Sequence, residues 1–154
     1  AAPVGRYLLD LHGEPNKCYE ASDALCNALQ ILNHLQDCKD DFVTLNRVYL
    51  PQGLIKTNGL TVDCLKASKS VPEFDSLKFQ ILDAVVLLIG IAQTLPRSLN
   101  SKRLAMETGA ILNIALQLEN KLRCSDPLSE EVNLSKFQYI FGFSLGAIKA
   151  LFHS

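Results

Sequence analysis

Between Tyr19 and Tyr49, Ala21, Leu25, Ala28, Leu29, Leu32, Leu35, Phe42 and Val43 recur at helical pitch and gather on one side. A helix over 19–49 would be roughly 45 Å long. Asp23, Asn27, Gln30, His34, Asp37 and Asp41 form a polar, mildly acidic stripe opposite that face. Helical patterning then lapses until about Phe74: Pro51, Gly53 and Thr57-Asn58-Gly59 break it, and Leu60 to Ala67 allows one brief helix. A second helix is predicted over 75–95, capped by Asp75 or Ser76 after Pro72 and stopped by Pro96. A third, over 99–124, is capped by Ser98 or Ser101 and carries Leu104, Thr108, Ile111, Ala115, Leu118 and Leu122 on one stripe. A fourth is predicted over 130–152, where Glu130 and Glu131 favour a helix start and Phe137, Ile140, Phe141, Ser144, Ile148 and Leu151 share a face. Residues 1–17 read as an arm whose apolar patch, Tyr7 to Leu11, stops at Gly13 and Pro15. No segment alternates as a strand does. The pattern predicts an all-α protein: a four-helix bundle with a long first connection, in a single domain over 1–154.

At 154 residues and 48% hydrophobic content the chain can bury one real core. Its net charge of −1, from 15 basic and 16 acidic residues, disfavours nucleic acid and anionic lipid as partners. The most apolar run, Ala84 to Ala92, is shorter than the roughly 20 residues a bilayer needs and reads as a buried helix. Cys18, Cys26, Cys38, Cys64 and Cys124 include no Cys-x-x-Cys pair, which favours an oxidising compartment and two bridges. The start Ala1-Ala2-Pro3 suits a chain whose leader has been removed. Asn133-Leu134-Ser135 is a glycosylation sequon, so a secreted glycoprotein is expected.

Material for catalysis is thin. His12, His34 and His153 stand in no recognised setting, and His34 with Cys38, four apart, lacks the second pair a metal site needs. Asp37, Asp40 and Asp41 read as a solvated acidic face, and no phosphate-binding loop, His-Glu-x-x-His or Gly-x-Ser-x-Gly occurs. The expectation is a non-enzyme with no cofactor and no metal.

A long first helix ending in Val48-Tyr49, followed by Gln52-Gly53-Leu54, resembles the end of the first helix in long-chain helical cytokines of the interleukin-6 type. The likeness extends to element order over 18–152, with Cys64 in the crossover, Cys124 closing the third helix, and Phe137 and Gly142 in the last. It implies an up-up-down-down bundle, although a last helix starting at Ser129 would instead make the third and fourth an antiparallel hairpin. It further implies bridges Cys18–Cys124 and Cys38–Cys64, with Cys26 left over as a possible dimer link or as the substitute for Cys18. The function implied is a secreted ligand that brings cell-surface receptor chains together. Candidate receptor contacts are Phe137 and Gln138 on the last helix, Gln30, His34, Asp37 and Asp41 on the first, and Asn113, Gln117 and Asn120 on the third.

The alternative is a secreted four-helix inhibitor or a carrier of small apolar ligands. Cys18 with Cys26, and the stretch Leu145 to Leu151, resemble plant invertase and pectin methylesterase inhibitors.

Overall fold

The computed structural model of the protein describes residues 1–134; the expected last helix does not start at 130, since residues 130–134 are not helical, and the rest of it, with Phe137 and Gln138, lies outside the described residues. The described residues are helical and contain no strand: α1 (Ala2–Leu11), a 3₁₀ turn (Asn16–Cys18), α2 (Tyr19–Gln36), α3 (Cys38–Leu45), α4 (Gln52–Thr57), a second 3₁₀ segment (Val62–Lys66), α5 (Pro72–Ala92), α6 (Leu95–Ser98) and α7 (Lys102–Cys124). The all-helical class is as expected. The element bounds differ in instructive places.

The expected first helix is two helices that nearly fuse. Asp37 closes α2 and opens α3, and the ladder survives the junction, because Asp37 N–H donates to Asn33 O and Asp41 N–H to Asp37 O. The run then stops four residues before Tyr49 because Asn46 adopts the left-handed conformation (φ 51°, ψ 40°), one that Asn tolerates better than other side chains. The expected arm is α1, a true helix with Pro3 in its first turn. α5 starts three residues earlier than the Asp75 expectation, with Pro72 in its first turn after extended Val71. Ser101 is the cap of α7, its Oγ accepting from Leu104 N–H at 3.3 Å.

Leu25, Leu32 and Leu35 of α2, Phe74, Leu77, Leu82 and Val85 of α5, and Leu118 and Leu122 of α7 bury together as the core. Hydrogen bonds at the two ends fix the helix directions. At one end the Cys18 thiol donates to Ser98 O, and the buried Glu14 carboxylate accepts from Asn100 N–H (2.7 Å) and Ser101 N–H (2.8 Å) at the start of α7. At the other end Lys78 Nζ donates to Ser125 O at 2.8 Å, Ser70 donates to Asp126, and Gln36 and Lys39 donate to the carbonyls of Val132 and Leu128. Thus α2 and α7 run one way and α5 the other. The expected up-up start is corrected to up-down-up, since residues 46–71 cap one end instead of crossing the bundle.

This topology also corrects the bridges. Cys18 sits at the start of α2 beside Ser98, whereas Cys124 ends α7, a 23-residue helix of roughly 35 Å, at the far end. A disulfide needs Cα atoms within about 7 Å. Cys38 and Cys64 lie on elements that pack together, yet all five cysteines are free thiols, and burial pushes the Cys38 thiol up to about 12. Cys26 is half-buried beneath α1, which corrects its expected role as a dimer link: a Cβ placed on Gly5 would lie 2.7 Å from both Cys26 Sγ and Ser22 Oγ. Gly5→Ala is therefore expected to lift α1 off α2, costing about 1–2 kcal/mol in urea unfolding, and to speed alkylation of Cys26. An unchanged labelling rate would contradict this packing.

Asp126 ties the end of α7 to the entry of α5. Burial pushes its carboxyl up, but donation from Ser70 Oγ, Ser70 N–H and Leu128 N–H outweighs that and holds it below the usual carboxylate range. A carboxyl depressed in the folded state stabilises fully above its unfolded pKa and loses that contribution as pH falls through the folded one. Asp126→Asn is expected to lower the thermal midpoint at pH 7 and to narrow its gap to the parent below about pH 4. A midpoint difference that does not vary with pH would count against it.

Candidate active site

The polar row on α2 stays open in the fold because α1 and α5 flank it without covering it. α1 lies antiparallel along one side, held by a two-pronged ion pair from Arg6 to Asp23 (Nε to each carboxylate oxygen, 3.0 Å) and by Tyr19 Oη donating to Asp10. Donation from Arg6 holds the Asp23 carboxyl below its ordinary value. Between α1 and α5 runs a trough of about 510 Å³, with Asp23 and Asn27 of α2 on its floor and Leu88 and Ile91 of α5 as an apolar wall.

Further along come the four residues singled out in sequence, Gln30 and His34 on α2, Asp37 at its junction with α3, and Asp41 on α3. Gln30 Nε2 and His34 Nε2 are 3.3 Å apart. The His34 ring lies flat on Tyr49, centroids 4.0 Å apart and planes within 8°. This stack forms where the left-handed Asn46 turns the chain back on α3, with Arg47 N–H donating to Asp41 O, and Tyr49 meets His34 of α2. Asp37 and Asp41 follow one helical turn apart. Packing raises the Asp37 pKa, the charges of Asp41 and Asp40 raise it further, and only His34 among the named neighbours opposes them. Asp37 and Asp40 also border a polar cleft of about 250 Å³ against residues 127–133.

Such an excess of carboxylate charge suits a cation. Among the described residues no three Asp, Glu, His or Cys side chains converge as a metal set. Asp37 and Asp41 would supply two hard oxygen ligands, which fits a divalent ion such as Mg²⁺ that takes one or two carboxylates and fills its other positions with water or phosphate.

The structure thus brings Gln30, His34, Asp37 and Asp41 into one row. Asn113 and Gln117, half-buried, and Asn120, exposed, stand on a different helix, α7. Asn133 is exposed, its carbonyl accepting from Lys121. Tyr49 and Arg6 were missed as site residues. The left-handed preference of Asn46 is the sequence signal that could have placed Tyr49, whereas nothing local pointed Arg6 at Asp23.

A family model for squalene/phytoene synthase matches residues 1–138. The hydroxysqualene synthase of Rhodopseudomonas palustris is 39% identical over 150 residues, covering 97% of this chain and 51% of that protein. That of Sinorhizobium fredii is 40% identical over 141 residues, covering 91% and 48%. The crystal structure of squalene synthase HpnC from Alicyclobacillus acidocaldarius superposes with a TM-score of 0.74 at 27% identity, over 80% of this chain and 47% of that one. The chain spans about half the length of the curated relatives it matches.

These matches overturn the cytokine resemblance. The residues that carried it, Tyr49 and Gln52 to Leu54, place an aromatic ring on His34 and open α4, and they fall within the matched family region. With it fall the receptor partners and the receptor role of the α2 and α7 residues, the secreted location, the glycoprotein and its glycan at Asn133, and the non-enzyme reading. The inhibitor or carrier alternative does not fit either. From Ala1 through Gln138, the matched sequence, and the helical arrangement it shares with HpnC, place this chain in the squalene/phytoene synthase family.

Proposed function

We propose that this chain supplies one wall of an isoprenoid synthase, as part of an enzyme that makes a hydroxysqualene-like or phytoene-like product. The observation that carries the reading is the 39% identity to a hydroxysqualene synthase across nearly the whole chain. The open α2 row supports it. A synthase with an apolar product needs an apolar surface beside a polar locus, and the fold offers both: Leu88 and Ile91 line a trough together with Asp23 and Asn27, and the polar row continues from there through Gln30 and His34 to Asp37 and Asp41. Asp37 and Asp41 are the groups through which the chain would hold a hard divalent cation at that locus. The His34–Tyr49 stack fixes the α3 turn against α2 and so keeps the two carboxylates in register. The helical unit acts as one domain in this reading.

The test is a chimera in which this chain replaces its matching part of the Rhodopseudomonas palustris enzyme. Organic extracts of cells making it are analysed by gas chromatography and mass spectrometry. Hydroxysqualene, squalene or phytoene above the empty-vector background is the expected result. A folded, soluble chimera that yields none of them would overturn the proposal.

A further inference from the structure

The carboxylate pair straddles a break in the helix: Asp37 stands on the α2–α3 junction itself and Asp41 lies one turn into α3. A change in the angle between the two helices therefore changes how Asp37 and Asp41 face each other. One segment spans the break from outside. Gln36, the last residue of α2, donates through Nε2 to Val132 O, and Lys39, in the first turn of α3, donates through Nζ to Leu128 O. The segment is itself held fast: Leu128, Val132 and Leu134 are buried, Ser129 N–H and Glu130 N–H donate to Asp126 O, and Lys121 of α7 donates to Asn133 O. Among the described residues the Lys39 ammonium forms no ion pair with the carboxylates that line the same cleft, Asp37, Asp40, Glu130 and Glu131. Its charge-assisted bond goes to a carbonyl, which fixes geometry and leaves Asp37 unpaired.

We propose that Gln36 and Lys39 are positioning residues: through segment 127–133 they splint the α2–α3 junction and hold Asp37 and Asp41 in register for a divalent cation. This deepens the synthase reading and rests on it. Groups that orient a metal's carboxylate ligands without touching the metal cost roughly 10–100-fold in affinity when removed. For Lys39 the sign is diagnostic. An ammonium in the cleft of Asp37 and Asp40 repels a cation, so by charge alone its removal would tighten binding. The splint requires that binding weaken.

The test measures Mn²⁺ binding to the purified chimera by electron paramagnetic resonance, Mn²⁺ replacing Mg²⁺ at oxygen ligands, and product formation against Mg²⁺ concentration. The binding followed is the part lost in Asp37→Asn with Asp41→Asn. Gln36→Leu with Lys39→Met keeps an apolar stem at each position and removes both donors. It is expected to raise the Mn²⁺ Kd and the half-saturating Mg²⁺ roughly tenfold, with a smaller effect on the rate at saturating Mg²⁺. Gln36→Leu alone changes no charge and should move the Kd the same way. Lys39→Arg restores a charged donor and should lie within about twofold of the parent. Lys121→Met removes a bond between the segment and α7 but none across the junction, so its Kd should hold even where its thermal midpoint falls. Unchanged or tighter Mn²⁺ binding in a helical double variant would overturn the proposal, as would an equal rise in Lys121→Met or a parent with no such Mn²⁺ binding. Should the double variant lose its helices, Gln36→Leu alone decides by the same criteria. The expected shifts in Mn²⁺ binding without any product would count against the synthase reading and leave the splint standing.

Discussion

Asp37→Asn with Asp41→Asn is expected to cut product formation by the chimera roughly 10²–10³-fold, the size of effect seen when a preorganised electrostatic contact to the reacting group is removed, about 3–4 kcal/mol of barrier. Asn keeps shape and hydrogen-bonding capacity, so the loss isolates the charge. Stability should move the other way. The folded state raises the Asp37 pKa through packing and the neighbouring Asp41 and Asp40. A carboxyl raised in the folded state costs stability at pH values above its unfolded pKa, so its removal is expected to leave the thermal midpoint at pH 7 unchanged or higher. Groups that burden the fold yet cluster beside a cavity are characteristic of functional sites. Equal losses of activity and stability would show instead that the pair is structural.

The second large effect is on the fold. Lys78 is only 3% exposed, in the middle of the α5 face that carries Phe74, Leu77 and Ile81 into the core. Its Nζ donates to Ser125 O at the end of α7, lies 3.2 Å from Asp75 Oδ1, and sits 5.1 Å from the centre of the Phe79 ring. Among the described residues no buried side-chain nitrogen or oxygen lacks a partner. Lys78→Ala removes the donor at the end of α7 and the packed aliphatic stem together. Breaking a buried ion pair costs about 3–5 kcal/mol, but Asp75 is 42% exposed and is re-solvated once released. The expected loss is therefore about 2–4 kcal/mol in urea unfolding, combining a charge-assisted hydrogen bond with stem packing. Lys78→Met keeps the stem and should recover about half of it. Full recovery in Lys78→Met would show that the ammonium contributes nothing.

Helical periodicity made most of this fold legible. The stripes Leu25, Leu32 and Leu35 on α2, and Leu118 and Leu122 on α7, are core because spacing at 3.6 residues per turn is a local property that packing then uses. Direction was not legible. It is set by contacts between residues far apart in sequence, such as Glu14 with Asn100 and Ser101 or Lys78 with Ser125, which no local pattern encodes. The outer face of α5 misled in a different way. A helix apolar all round reads as buried, yet here Phe79, Val86, Leu87 and Ile91 stand exposed on one side. For the site, the polar row from Gln30 to Asp41 was recognised as a row, and the non-enzyme reading that went with it is overturned by the family match. Solvated carboxylates and those of an active site look alike in sequence. What marks this row is the crowding of Asp37 by Asp41 and Asp40 at the edge of the cleft against residues 127–133, and that exists only once this segment has packed on Gln36 and Lys39.

On the proposed reading this chain is a working part of an isoprenoid synthase. Reconstitution measures it directly: the purified chain and the separately purified complementary half of the Rhodopseudomonas palustris enzyme are added, singly and together, to a bacterial extract that supplies isoprenoid precursors, and hydroxysqualene, squalene and phytoene are quantified. Product is expected only when both parts are present, and is expected to be lost when Asp37 and Asp41 are replaced by Asn. A well-formed complex that makes none of these compounds, or one whose output ignores the two substitutions, would contradict it.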